Sequence, residues 1–349
     1  MAARLAHASL TGMPESQSAL WGALVIGGCA GLSALLIAFL RPILMRHLLA
    51  HPNDRSSHKI ATPQGAGLGV MASVFAGCAF GVVFWVDGSE PKLLGVLVAA
   101  AGLTLLGAID DAHSLSVWSR LQGQFLAAIV VVGTLPGDFR LFPGLMPAGV
   151  EDVLLVLGIV WCVNAVNFLD GLDWMMVAQV VPMTLGIIVL HALGAVPPSV
   201  ALLALALLGA VLGFAIFNKH PAQIFLGDAG SLPIGLVLAF MLIVVAQSNL
   251  AAALLLSLYT LADPTVTLFR RMAAKQPFLS AHRTHFYQRG ATAGLTVPQV
   301  TTRIFWLCLL LAALAAVTAV ADKLAVDLLC LGLGAVATAL TLYALGKGH

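Results

Sequence analysis

Residues 202 to 217 read LLALALLGAVLGFAIF, sixteen consecutive positions without a polar side chain. An amphipathic helix of a soluble protein keeps a polar stripe, so a segment apolar on every face belongs inside a large core or a bilayer. Residues 307 to 320, LCLLLAALAAVTAV, repeat the pattern with a single threonine. Working outward from these two, eleven such runs emerge, at about 19–40, 67–86, 92–109, 120–135, 150–166, 174–194, 199–217, 231–247, 250–269, 302–320 and 324–345. Most approach the ~20 residues with which an α-helix crosses a ~30 Å hydrocarbon layer. A transmembrane barrel would instead show alternating segments of about ten residues. The pattern therefore predicts an all-α polytopic membrane protein with about eleven transmembrane helices. The fourth run is short, and the division of 231–269 rests on Gln247, Ser248 and Asn249.

Composition agrees. Hydrophobic residues make up 60% of the 349 and charged residues only 9%, against about a quarter charged in soluble domains. The net charge of +2 carries little information by itself, and no basic patch that would suit a nucleic-acid partner appears. All five cysteines (Cys29, Cys78, Cys162, Cys308 and Cys330) lie in apolar runs without metal-ligand spacing and read as small buried hydrophobes. The first run ends in basic residues without a cleavage site, as a retained helix does. The expected organisation is a short periplasmic segment, 1–18, and a single transmembrane catalytic domain, 19–349.

Threading the runs alternately across a membrane sorts the connections onto two sides. One side collects Arg41, Arg46, Arg55, Lys59, Arg120, Lys219, Arg270, Arg271, Lys275, Arg283, Arg289, Arg303 and Lys347, thirteen of the seventeen Lys and Arg; Arg4, Lys92, Arg140 and Lys323 remain opposite. The positive-inside rule makes the rich side cytoplasmic. The N-terminus is then outside and the C-terminus inside, in a bacterial inner membrane.

The motif-rich connections all fall on that basic side, although the acids played no part in the sorting. They include the 51–67 loop with Lys59, the pair Asp110-Asp111, and the segment from Asn164 through Asn167, Phe168, Asp170 and Asp173. The others are residues 217 to 231, with Asn218, Phe225 and Asp228, and the loop carrying His282-Arg283-Thr284-His285. Charge beside lipid is costly and usually functional. Hard carboxylate and amide oxygens suit Mg²⁺ or Mn²⁺, and neighbouring Arg and Lys suit phosphate oxygens. Together they point to phosphoryl-group chemistry. Each motif also has a plainer reading. Asp110-Asp111 could cap the next helix near Ser114 or Ser116, Asp170-Gly171 could be a turn, and the basic residues around Arg270 could serve as topology signals. A transporter with cation-binding carboxylates at broken helices is a different class, but its charges should sit near mid-membrane.

The combination resembles the polyprenyl-phosphate N-acetylhexosamine-1-phosphate transferase family, of the glycosyltransferase family 4 type. The resemblance rests on Asp110-Asp111, the Asn167-Phe168-Leu169-Asp170-Gly171-Leu172-Asp173 segment, Asn218 through Ser231, and His282-Arg283-Thr284-His285, in that order across about 240 residues. Arg55-Ser56-Ser57-His58-Lys59 and the last loop look like the branch that initiates O-antigen or capsule chains with GlcNAc-type donors. The peptidoglycan branch, the phospho-MurNAc-pentapeptide transferases, carries a run of histidines in that loop, which is absent here. One departure stands out: Trp174-Met175-Met176 occupies the place where the family usually has Gly and a small residue.

The resemblance implies a reaction between undecaprenyl phosphate and a UDP-N-acetylhexosamine that yields the undecaprenyl-diphospho-sugar and UMP, the first membrane step of cell-surface polysaccharide synthesis. It implies that Asp228 binds Mg²⁺, with Asn167 as a second ligand, and that Asp110 and Asp111 face the lipid phosphate. Whether one of them is a base or forms a phospho-enzyme stays open, with direct attack favoured. Asn167, Asp170, Asp173 and Asn218 would contact the nucleotide and Phe225 would stack on uracil. Lys59, His282, Arg283 and His285 would hold phosphate or sugar oxygens. The lipid tail would arrive through the bilayer along a lateral groove, and a homodimer is left open.

Overall fold

The computed structural model describes residues 15–50, 61–85, 91–276 and 283–348. Among them are twelve helices: α1 (Glu15–His47), α2 (Gly67–Phe84), α3 (Pro91–His113), α4 (Val117–Gly133), α5 (Ala148–Leu169), α6 (Met175–Ala192), α7 (Pro198–Asn218), α8 (Asp228–Ser248), α9 (Leu250–Ala273), α10 (Phe286–Thr292), α11 (Val297–Ala321) and α12 (Leu324–Lys347). Two two-residue strands, β1 (Leu49–Ala50) and β2 (Thr62–Pro63), pair antiparallel between α1 and α2. The fold is an all-α polytopic membrane protein.

Ten helices are long and apolar enough to cross a membrane. The eleventh expected span, α4, has 17 residues and so reaches only about 25 Å. It still runs the length of the bundle. Near its start Arg120 meets Asp110, at the end of α3. Just past its end, Leu135 and Pro136 line a cavity of about 270 Å³ with Lys92 at the start of α3, Pro197 before α7 and Gln247 at the end of α8. The eleven expected runs thus correspond to eleven helices that join the two ends of the bundle. α10, seven residues long, lies at one end.

The helix that is apolar all round is the one most enclosed. α7 is buried along most of its length and packs against α1, α2 and α6, while α8 packs against α3 and α5. Gly209 and Gly213 let α1 approach α7, since a Cβ at either would come 2.4 Å from a carbonyl oxygen of α1. Leu35 and Phe39 of α1, and Leu324, Leu328 and Leu340 of α12, point their side chains outward, the surface a lipid environment accepts.

The expected break at 247–249 is real. Asn249 is extended, with φ −153°, and its side chain accepts from Ala252 N at 2.8 Å to cap α9. At the same end of the bundle Arg140 Nε meets the buried Glu151 at 2.6 Å. Glu151 also accepts from Leu141 N and Phe142 N. Arg140 is therefore neutralised by Glu151, which explains why a basic residue can stand on the Lys/Arg-poor side.

α1 begins at that far end, and α12 finishes at the other, where Arg289 Nη2 of α10 donates to Gly346 O. Reporter fusions should therefore place the two termini on opposite sides of the membrane. With the basic end cytoplasmic, a phosphatase reporter joined after His349 should be inactive and one at the N-terminus active. Activity at both ends would require an even number of crossings.

Candidate active site

Four helix ends meet where the acidic motifs converge. α3 and α8 touch backbone to backbone, because a Cβ on Gly107 would lie 2.2 Å from Asp228 O. This contact places Asp111 under the first turn of α8, where Asp111 Oδ1 accepts from Asp228 N (3.0 Å) and Oδ2 from Ala229 N (3.1 Å). The first N–H groups of a helix have no partner within it, and the helix dipole adds positive charge there. Asp111 answers both. Gly227, at φ +75°, leaves room for the carboxylate, since a Cβ would stand 2.4 Å from Asp111 Oδ2. The segment before α2 closes the other side. Gln64 Nε2 donates to Asp111 O at 3.1 Å, and Gly65 N and Ala66 N both donate to Phe225 O.

Asp110 points the other way. Its Oδ1 accepts from Leu115 N and its Oδ2 from Arg120 Nη1 at 3.1 Å. The next helix is capped by Ser116, whose hydroxyl accepts from Ser119 N at 3.1 Å, so Asp110 holds the turn that precedes that helix and does not cap it. Arg120 lies 3.6 Å from Asp228 as well, so one guanidinium serves two carboxylates. Asn167 Nδ2 donates to Asp228 Oδ1 at 2.7 Å and to Ser231 Oγ at 2.9 Å. Asp110, Asp228, Asn167 and Arg120, drawn from α3, α8, α5 and α4, are therefore joined by two hydrogen bonds and the Arg120–Asp228 ion pair.

The Asp170–Asp173 segment divides into two kinds of residue. Asp173 is buried, and its Oδ2 takes His220 Nδ1 at 2.6 Å and Ala222 N at 3.0 Å. Asn218 is also buried, receiving Trp174 N at 2.7 Å and donating to Ile224 O at 3.0 Å. Both side chains thus hold the 219–226 segment in shape. Trp174 sits at φ +63° and is clamped by Nε1 donating to Ala215 O at 2.8 Å. The left-handed conformation costs a non-glycine residue about 1–2 kcal/mol, a cost that glycine would not carry here. The half-buried Asp170 is different. Burial, and then the carboxylates of Asp228, Asp111 and Asp173, hold it well above the ordinary carboxylate range.

His285 and half-buried Arg283 approach from the α10 side. His285 lies 5.9 Å from the Phe168 ring and stacks on Tyr287. Burial pushes the Tyr287 phenol well above its usual value, so it stays protonated, and it donates to Phe168 O at 2.9 Å. Lys59 and His282 lie outside the described residues. Sequence reasoning assigned no site role to Arg120, Gln64, His220, Tyr287 or Asp263. Arg120, Gln64, His220 and Tyr287 each stand within ten residues of, or inside, a polar motif, whereas Asp263 does not.

The donor set can be tested for a divalent cation. Among the described residues no three His, Cys, Asp or Glu side chains form a ready cluster. Asp111 is taken by backbone N–H groups and Asp110 by Leu115 and Arg120. Asp228 takes a side-chain donor from Asn167 and stands beside Arg120, contacts that a cation would share or displace, and Asp170 is a neighbouring carboxylate. Mg²⁺ is commonly held by one or two carboxylates with the remaining positions filled by substrate phosphate and water, so these residues fit a shared site rather than an all-protein cage. Asn167 offers Asp228 a donor, and its amide would have to turn to offer oxygen.

Fold and site together define an integral membrane transferase. Residues 93–246 match the model of the glycosyl transferase family 4. The chain is similar to a probable undecaprenyl-phosphate N-acetylglucosaminyl 1-phosphate transferase of Bacillus subtilis, 28% identical over 76% of both chains. It is 33% identical to a phospho-N-acetylmuramoyl-pentapeptide-transferase of Shouchella clausii, over 58% of this chain and 67% of that one. It is 34% identical to a decaprenyl-phosphate N-acetylglucosaminephosphotransferase of Mycobacterium leprae, over 60% of this chain and 58% of that one. The chain belongs to glycosyl transferase family 4.

Two outcomes follow from the geometry. Asp111→Asn leaves one acceptor for two α8 N–H groups, so it should lower stability by about 1–3 kcal/mol. By displacing Asp228 it should also raise the Mg²⁺ concentration for half-maximal turnover. Asp110→Asn should leave that concentration unchanged; a titration of activity with Mg²⁺ separates the two. Asp170 titrates above its unfolded value near 3.8. Its contribution to stability is therefore present at low pH and lost as pH rises through the raised value. In chelator, the melting temperature should fall with rising pH from about 4 upward, and Asp170→Asn or added Mg²⁺ should flatten that dependence.

Proposed function

We propose that this protein transfers an N-acetylhexosamine 1-phosphate from its UDP derivative to undecaprenyl phosphate, on the cytoplasmic face of a bacterial inner membrane. The observation that carries this reading is the Asp110–Arg120–Asp228–Asn167 group at the ends of spanning helices. It combines carboxylates for a hard cation with a guanidinium for phosphate, at the height where a lipid phosphate would reside. The relatives with N-acetylglucosamine phosphotransferase names support the donor class.

In this reaction a phosphate oxygen of the lipid attacks the sugar-bearing phosphorus of the donor, and the bond to the bridging oxygen breaks to release UMP. The second pKa of a phosphate monoester is near 6, so the acceptor needs little help in losing its proton. The larger obstacle is bringing two anions together. Arg120 offsets that repulsion on the acceptor side, and Asp110 holds the guanidinium in place. Asp228 and Asp170 would hold a Mg²⁺ or Mn²⁺ on the donor diphosphate, and such a cation supplies charge neutralisation to the leaving group. Asp111, with both oxygens on α8, fixes Asp228. Asp173 and Asn218 shape the segment that carries Phe225, which would stack on the uracil. Arg283 and His285 approach the sugar or phosphate side, and Lys59 and His282 belong to loops that would complete it.

An apolar groove of about 190 Å³ suits the isoprenoid tail. Leu154, Gly158 and Cys162 of α5, Ala239 of α8, and Leu254 and Leu261 of α9 line it. Cys162 lies five residues before Asn167, about 7.5 Å along the helix. A second donor reading, UDP-MurNAc-pentapeptide, is favoured by the Shouchella clausii relative.

UMP release from purified protein, supplied with undecaprenyl phosphate and a panel of UDP-sugars, tests the proposal. UDP-N-acetylhexosamines should be turned over and UDP-MurNAc-pentapeptide should not; efficient use of the pentapeptide donor would reverse the assignment. Trp174→Gly relieves the left-handed strain but removes a clamped ring beside the nucleotide segment. It should change the ratio of kcat/KM among UDP-sugars more than their mean. An equal loss with every donor would mark Trp174 as packing alone.

A further inference from the structure

Gln124 of α4 and Asn164 of α5 are amide side chains turned towards each other inside the bundle, and neither belongs to the site just described. Asn164 Nδ2 donates to Gln124 Oε1 at 2.6 Å and to Val160 O at 2.8 Å, and Gln124 Nε2 returns a longer contact to Asn164 Oδ1 at 3.5 Å. An amide buried without a partner is costly, and hydrogen bonds between side chains hold neighbouring membrane helices together. The pair therefore clamps α4 to α5.

Its place relative to the site gives the clamp a second consequence. Gln124 stands one turn beyond Arg120, about 6 Å deeper along α4, and Asn164 one turn before Asn167, about 4.5 Å deeper along α5. Positions three and four apart share a helix face, so each partner projects from the face that carries a site residue. Arg120 and Asn167 meet on Asp228, and Gln124 and Asn164 meet each other one turn deeper. The adjacent Gly123 packs on α3, where a Cβ would lie 2.5 Å from Leu106 Cδ2. α4 is thus fixed to α3 at Gly123 and to α5 at Gln124, while Trp118, Leu126 and Ile129 face outward. Two contacts at adjacent positions set how this helix is turned about its axis, and hence where Arg120 reaches.

We propose that Gln124, held by Asn164, is a positioning residue that fixes the rotation of α4 and so aims the Arg120 guanidinium at the phosphate of the lipid acceptor. The inference rests on the reading of Arg120 under Proposed function. Gln124 is 2% exposed and engaged with Asn164, so its influence on the reaction passes through Arg120.

Gln124→Leu removes the bond and keeps an apolar side chain of similar size. In UMP-release assays on the full-length protein it should raise the KM for undecaprenyl phosphate at least about fivefold and move the KM for the UDP-sugar by less than about twofold. In an Arg120→Ala background the same change should cost less than about twofold further, because the two residues act as one unit. Gln124→Asn combined with Asn164→Gln keeps the summed length of the two arms. This transposed pair should return the KM to within about threefold of wild type, whereas Gln124→Asn alone should not. KM does not depend on how much protein folds, so a Gln124→Leu enzyme that loses rate at unchanged KM overturns the proposal. Costs that multiply in the Arg120→Ala background, or no recovery in the transposed pair, would do the same. Native mass spectrometry of undecaprenyl phosphate retained by the purified protein needs no donor. Gln124→Leu and Arg120→Ala should each reduce that retention. Full retention in Gln124→Leu refutes the positioning role, whereas a failure of every UDP-sugar to yield UMP refutes the donor reading alone.

Discussion

The Asp111 carboxylate on the first two N–H groups of α8 is the contact on which the rest of the site depends. A helix entering a low-dielectric layer brings unpaired N–H groups and a positive dipole end with it, and water cannot freely satisfy them there. Asp111 supplies both the acceptor and the charge, at 3.0 and 3.1 Å. Gly107 and Gly227 make the approach possible by having no side chain in its way. Once α8 is held, Asp228 at its first position faces Asn167 and Arg120, and the remaining groups assemble around it.

The same principle recurs across the bundle, with polar side chains near the ends of helices acting as acceptors for distant backbone. Asp263 serves α10, Asp173 serves the 219–223 turn, and Glu151 serves the 141–142 loop at the opposite end. The two ends differ in what is left over. At the far end Glu151 and Arg140 neutralise one another. Within the acidic cluster itself Asp110 and Asp228 share one guanidinium, that of Arg120, and burial followed by the carboxylates of Asp228, Asp111 and Asp173 holds Asp170 above its ordinary range. An excess of hard anionic ligands at one membrane boundary is the condition that recruits a divalent cation and a phosphorylated substrate.

Most of the fold was legible in the chain before any coordinates. Residues 202 to 217 had to avoid water on all faces, and α7 is buried along most of its length with Leu212 and Ile216 facing outward. The break at Asn249 marked a helix boundary, because its short amide caps α9 better than it continues α8. α4 was the weakest of the expected spans, and at 17 residues it is the shortest of the helices that cross the bundle. The site was legible as a set of motifs sharing one face, but the bland reading of Asp110-Asp111 as the cap of the next helix was not met, since Ser116 takes that place.

The sequence by itself determined that the chain is helical, that it crosses a membrane many times and which loops meet on one side. These follow from transfer free energy summed over local runs and from the placement of lysine and arginine, quantities that need no knowledge of distant partners. Only the tertiary structure decided what each acid does. Asp111 finds its donors 117 and 118 residues away, and Asp263 finds His285 across 22. A carboxylate that caps a helix and one that faces substrate are the same letter in a sequence. They separate only when packing brings particular N–H groups, guanidinium or imidazole to their oxygens.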